Sequence, residues 1–99
     1  MAIGHITEVD EGTLEQYDQV SEKIIGDGPP ADGLICHFAG AKQGGGFRIF
    51  EVWESEEQFQ RFQEERVAPA VTEVVGPDSE PSRREVFEIH NQMMAGQER

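Results

Sequence analysis

The chain has 99 residues, enough for one small domain, and carries 20 acidic against 8 basic side chains for a net charge of −12. That balance argues against nucleic acid, which needs clustered Lys and Arg, and against an anionic membrane surface. The single cysteine, Cys36, rules out an internal disulfide and fits a reducing cytoplasm, and no apolar run approaches the roughly 20 residues that span a bilayer.

Residues 2–9 carry Ile3, Ile6, Thr7 and Val9 and read as a strand, ended by Asp10-Glu11-Gly12. Thr13-Leu14-Glu15-Gln16 fits a capping box. Leu14, Tyr17, Ser21 and Ile24 then recur at helical spacing, with Val20 and Ile25 beside them, until Gly26-Asp27-Gly28-Pro29-Pro30 stops the helix. Residues 33–42 read as a second strand, apolar on both faces. Gln43-Gly44-Gly45-Gly46 reads as a hairpin turn.

The strand that follows organises the chain. Phe47, Ile49 and Trp53 lie on one face and Phe50 and Val52 on the other, so both faces need cover. Ser55-Glu56-Glu57-Gln58 opens a second helix with another capping box. Its buried stripe is Phe59, Phe62, Val67, Ala70, Val71 and Val74, and Pro69 predicts a kink or restart within it. After a polar loop over 76–82, residues 83–90 form the last strand, with Val86, Phe87 and Ile89. Residues 1–90 thus make a single domain, and 91–99 read as a flexible tail.

The order β-α-β-β-α-β is the split βαβ pattern of an α+β, ferredoxin-like fold: a four-stranded antiparallel sheet with two helices on one face. The other face stays bare in a monomer. Such a patch marks an interface, and the simplest cover is a second copy, a homodimer through the open sheet face.

Three segments carry a family resemblance: Gly33-Leu34-Ile35-Cys36-His37, the run Arg48 to Ser55, and Phe59 and Phe62 followed by Val67-Ala68-Pro69-Ala70. In these the chain resembles the dimeric α+β barrel superfamily, which includes antibiotic-biosynthesis monooxygenases. The resemblance implies a cofactor-independent monooxygenase or related enzyme acting on an aromatic or polycyclic molecule held between sheet and helices. The alternative is a non-catalytic dimeric domain that binds a hydrophobic small molecule or serves as an interaction module.

Five residues are candidates for the site. Glu51 shares the Trp53 face, where a carboxylate is costly to bury unless paired; it reads as a proton-transfer group or as an ion-pair partner of Arg48 or Arg66. His37, in mid-strand, reads as a general base or as a satisfied core residue. Its face depends on the turn: a tight turn points it away from Trp53, and one bulge residue at the triple glycine reverses that parity. Trp53 reads as a cavity wall for a flat ligand or as a core anchor. Tyr17 and Phe62 should converge with Trp53 on the space between sheet and helices.

No cofactor or metal is expected. His5 and His90 lack an obvious third ligand, and Gly44-Gly45-Gly46 has neither the lysine nor the helix of a phosphate loop. Haem-degrading members of the superfamily pair the Trp with an Asn on the first strand and a His on the helix. Here Gly4 and His5, and Phe62 or Gln63, stand at those places.

Overall fold

The computed structural model describes residues 2–26, 31–76 and 83–93. The helix stop at 27–30, most of the polar loop and the tail beyond 93 lie outside the described residues. The elements are β1 (Ile3–Val9), α1 (Leu14–Gly26), β2 (Leu34–Ala41), β3 (Phe47–Trp53), α2 (Glu56–Phe62), a π-helical turn (Gln63–Val67), α3 (Ala68–Val74) and β4 (Arg83–Glu88). The strands form one antiparallel sheet in the order β2-β3-β1-β4, with the helices on one face: the ferredoxin-like α+β arrangement.

Both helices start where the sequence places a cap. The Gln16 amide donates to Thr13 Oγ1 at 3.1 Å, and Gln16 Oε1 accepts from the Thr13 amide at 3.1 Å. At α2, Ser55 Oγ accepts from the Gln58 amide at 3.2 Å. These bonds satisfy amides that the first turn leaves without an intrahelical partner. Pro69 then does what its chemistry requires. It offers no N–H, and its ring crowds the preceding turn, so the helix widens just before it. Within the widened turn the Ala68 amide reaches back to the Gln63 carbonyl. The helix swells there and continues as α3.

The β2–β3 hairpin sets the parity of the site. Ala41 pairs with Phe47, so five residues make the turn. Gly44, Gly45 and Gly46 all take positive φ. A Cβ on Gly46 would come within 2.1 Å of the Val9 carbonyl oxygen, so only glycine fits there. With this loop His37 lies opposite Glu51, and Phe38 lies opposite Phe50. His37 therefore shares the helix-covered face with Glu51 and Trp53, as the bulged turn requires.

The packed core sits toward the Trp53 end of the sheet. Trp53 (0% exposed) meets Phe59 edge-on at 5.8 Å and Phe62 at 5.3 Å. His5 is almost equally buried; its ring stacks on Phe59 at 3.5 Å and its Nε2 lies 2.9 Å from Glu56 Oε1. The space between α1, α3 and the rest of the sheet is left open.

On the uncovered face Phe38, Phe50 and Phe87 form a stacked row, with ring separations of 6.5 Å and 6.4 Å. Phe87 reaches Phe50 across β1 because Gly4 lies beneath it; a Cβ on Gly4 would stand 2.8 Å from the Phe87 ring. Phe50 and Val52 are less exposed than the sequence suggests, because Phe87 and Ile89 lean over β1 beside them. The residues left in solvent are Phe38 and Phe87, 58% and 41% exposed. Among the described residues no helix is long and apolar enough to cross a membrane.

Candidate functional site

The open space is a cavity of about 1120 Å³ between sheet and helices. Val20 and Ile24 of α1, Ile49 of β3, Phe62 of α2 and Val71 of α3 give it an apolar wall. Ligand pockets are typically apolar with a few convergent polar groups. Tyr17, His37 and Glu51 supply them here.

These three side chains and Trp53 form one hydrogen-bonded chain. Tyr17 Oη lies 2.5 Å from His37 Nε2, His37 Nδ1 lies 2.6 Å from Glu51 Oε2, and Trp53 Nε1 lies 3.2 Å from Glu51 Oε1. An ionised carboxylate only accepts and an indole N–H only donates, which fixes the direction. Trp53 and the Nδ1–H of His37 donate to the two oxygens of Glu51, and with His37 neutral its Nε2 accepts from Tyr17. Burial pushes the Tyr17 phenol above its ordinary value, and the negative charge of Glu51 adds to the shift. At neutral pH Tyr17 is therefore a hydroxyl donor.

The pairing explains how Glu51 is accommodated, for it is 9% exposed. Its partners are His37 and Trp53, not the arginines that the sequence offers. Arg48 bonds Glu8, and Arg66 donates to the Ile24 carbonyl while lying over the Phe62 ring. Tyr17, His37, Glu51 and Phe62 line the cavity, whereas Trp53 lies wholly buried behind Glu51. Trp53 is thus a core anchor with a polar tip, not a wall on which a ligand stacks.

Two features of the cavity are not placed there by sequence reasoning, although it names Gln63, Arg66 and Val67 in other roles. The π-helical turn brings Gln63, Arg66 and Val67 to the cavity. Arg84 on β4 also lines it, with its guanidinium 5.2 Å from the Phe59 ring centre. The signal for Arg84 was the alternation along β4, which places it on the face of Val86. Among the described residues no three His, Cys, Asp or Glu side chains come together as a metal site.

Solved structures of ferredoxin-like α+β proteins share this fold. A cofactor-independent oxygenase, SnoaB of Streptomyces nogalater in a mutant form, superposes with a TM-score of 0.63 at 13% identity, covering 93% of this chain and 95% of that one. Rv0793 of Mycobacterium tuberculosis gives 0.71 at 12% identity over 95% of this chain and 100% of that one. A dimeric ferredoxin-like protein of unknown function from Thermobifida fusca gives 0.62 at 21% identity over 90% and 92%. At these identities the likeness is one of fold. No protein-family model matches the sequence, and no curated protein matches it.

Proposed function

We propose that the protein is a homodimeric enzyme, a cofactor-independent monooxygenase or a relative in chemistry, acting on an aromatic or polycyclic molecule held between sheet and helices. The observation that carries this reading is the chain Tyr17–His37–Glu51 along the wall of an apolar cavity. A purely structural domain of this size would be expected to fill that space with side chains.

The roles follow from the order of the chain. Glu51 holds the Nδ1–H of His37, leaving Nε2 basic and facing the cavity, and it stabilises the imidazolium that forms when His37 takes a proton. His37 removes a proton from an acidic C–H or phenol of the substrate. On binding, the substrate takes the place of the Tyr17 hydroxyl at His37 Nε2, and Tyr17 turns its donor to the substrate oxygen on which charge develops. The carbanion adds to molecular oxygen, forming a C–O bond, and the outer oxygen takes the proton held by His37; loss of that carbon's second hydrogen as a proton then breaks the O–O bond and leaves a carbonyl on the product and water, so the reacting carbon is a CH2 group. Trp53 acts as a positioning residue, because its N–H fixes the second oxygen of Glu51. The S. nogalater neighbour, itself described as a cofactor-independent oxygenase, lends the reading support from fold.

The dimer rests on the uncovered sheet face. Its stacked phenylalanines are apolar surface that a second copy would remove from water, and the T. fusca neighbour is described as dimeric. The test of the enzyme reading is oxygen uptake with polycyclic phenols that carry an acidic C–H. The expected result is uptake in metal-free buffer that falls by about 10²–10⁴ in His37→Ala. No uptake with any such compound, or equal uptake by wild type and variant, would overturn it.

A further inference from the structure

The cavity holds one cation whose charge is unmatched. Among the described residues Lys23, Lys42, Arg48, Arg61 and Arg83 are paired with carboxylates, and Arg66 is bonded to a carbonyl. Arg84 has no hydrogen bond or ion pair among those residues; its contact is the face of Phe59. None of the three carboxylates that line the cavity is bonded to it. Glu51 accepts from His37 and Trp53, and Asp10 accepts from Lys42 and Arg83, while Glu11 lines the cavity as an exposed side chain. Arg84 is an exposed side chain of the cavity lining, so water carries its charge and its N–H groups are open to an incoming anion.

The geometry points to Arg84 as the anchor for a carboxylate on the polycyclic ligand. A guanidinium stacked on an aromatic ring keeps its N–H edge free and already oriented, and that edge matches a carboxylate in a two-pronged bond. The sheet gives the ligand's length. Row by row, His37 lies opposite Glu51 and then His5, and one row along, Ile49, Thr7 and Arg84 lie side by side on β3, β1 and β4. Three strand spacings across the sheet and a two-residue step along it, roughly 16 Å in all, therefore separate the backbones of His37 and Arg84. A flat ligand of two or three fused rings, with both side chains reaching inward, spans that interval. The proton to be removed sits at His37 and the anionic end at Arg84.

This inference rests on the proposed ligand site, and the experiment separates the two. Calorimetric titration of the full-length protein with 2-naphthoate and with its neutral isostere 2-naphthamide is the measurement. The expected result is naphthoate binding tighter than naphthamide by about tenfold or more, with the preference lost in Arg84→Gln while naphthamide affinity is unchanged. Arg84→Lys should retain part of the preference, because it keeps the charge and loses the fork. Far-UV circular dichroism checks that the variants fold, and naphthamide binding checks that their cavity is intact. Equal affinities in the wild type, or a preference that survives Arg84→Gln, overturn the anchor and leave the ligand site standing. Failure of both probes to bind the wild type overturns both.

Discussion

His37 and Glu51 face one another across β2 and β3, with Nδ1 and Oε2 2.6 Å apart, because five residues rather than two or four turn the hairpin. A two-residue turn at Gly44-Gly45 would shift the pairing by one. Phe38 would then stand opposite Glu51, and His37 would point to the uncovered face. The three glycines that permit the odd loop do not themselves line the cavity, yet they decide whether it contains a base. A side chain on Gly46 would also press on the backbone of Val9 and Asp10, which line the cavity.

Tyr17 reports on the chain directly, because it is the only tyrosine in the protein. Burial and the charge of Glu51 raise its phenol above 10.0. A folded-state value above the unfolded one means that the native protein holds this proton more tightly. The stabilisation is fully present below pH 10 and is lost as pH rises through the folded value. Titration of phenolate absorbance should give a midpoint above that of free tyrosine, and Glu51→Gln should lower it part of the way, since burial remains. A wild-type midpoint at or below the ordinary value would contradict the arrangement.

The opposite sign applies at the other edge of the sheet. Glu8 accepts from Arg48 and Arg83, and Asp10 accepts from Lys42 and Arg83, a network that ties β3 and β4 to β1 and its following turn. These bonds hold both carboxyls below their ordinary values of 4.5 and 3.8. Their contribution is present above pH 4.5 and is lost as pH falls through the lowered values. Urea unfolding between pH 7 and pH 3 should therefore show a smaller acid-induced loss in Glu8→Gln than in wild type, and high salt should narrow the difference. Identical pH profiles would show that the network is without effect on stability.

Much of this architecture was legible in the chain, because its signals are local. Thr13–Gln16 and Ser55–Gln58 mark helix starts through bonds that each segment makes with itself. Pro69 marks the break by lacking a donor. The alternation of Phe47, Ile49, Glu51 and Trp53 places them on one face whatever the rest of the fold does. The site is less legible because its bonds are long-range. Glu51 had two arginines as conspicuous partners, and only the three-dimensional pairing of β2 with β3 selects His37. The fate of Trp53 depends on where helix α2 lands: Phe59 and Phe62 close over the ring and leave the cavity to one side. Arg84 stood in a strand whose partner, β1, lies nearly the whole chain away.

The uncovered face makes a prediction about assembly. Phe50 is the middle ring of the row Phe38–Phe50–Phe87. A carboxylate there would sit among apolar groups if a second copy covers the sheet, and burying it unpaired would cost several kcal/mol. Light scattering should give twice the 11.1 kDa chain mass for the wild type and the chain mass itself for Phe50→Glu. Gly4→Ala should weaken association without abolishing it, because its methyl group displaces the Phe87 ring from the row. A wild type that stays monomeric at micromolar concentration would refute the interface.

Glu51 is held at both of its oxygens. Its two oxygens accept from two donors, His37 Nδ1–H and Trp53 Nε1–H. Glutamine has nearly the same shape but one acceptor oxygen, so in Glu51→Gln either one of those donors faces an NH2 group or His37 turns to its Nε2–H tautomer and gives up the bond from Tyr17. That mismatch should cost about 1–3 kcal/mol by urea unfolding. Trp53→Phe removes one donor and also loses packing against Phe59 and Phe62, so it should be destabilising alone. The double variant should cost less than the sum of the singles by roughly 1 kcal/mol or more, because the amide oxygen can then serve His37 without leaving an indole N–H unmet. A strictly additive cycle would mean that Trp53 and Glu51 do not share a hydrogen bond. His37 would then be oriented by one oxygen of a carboxylate that nothing else fixes, and the positioning role of Trp53 would fall.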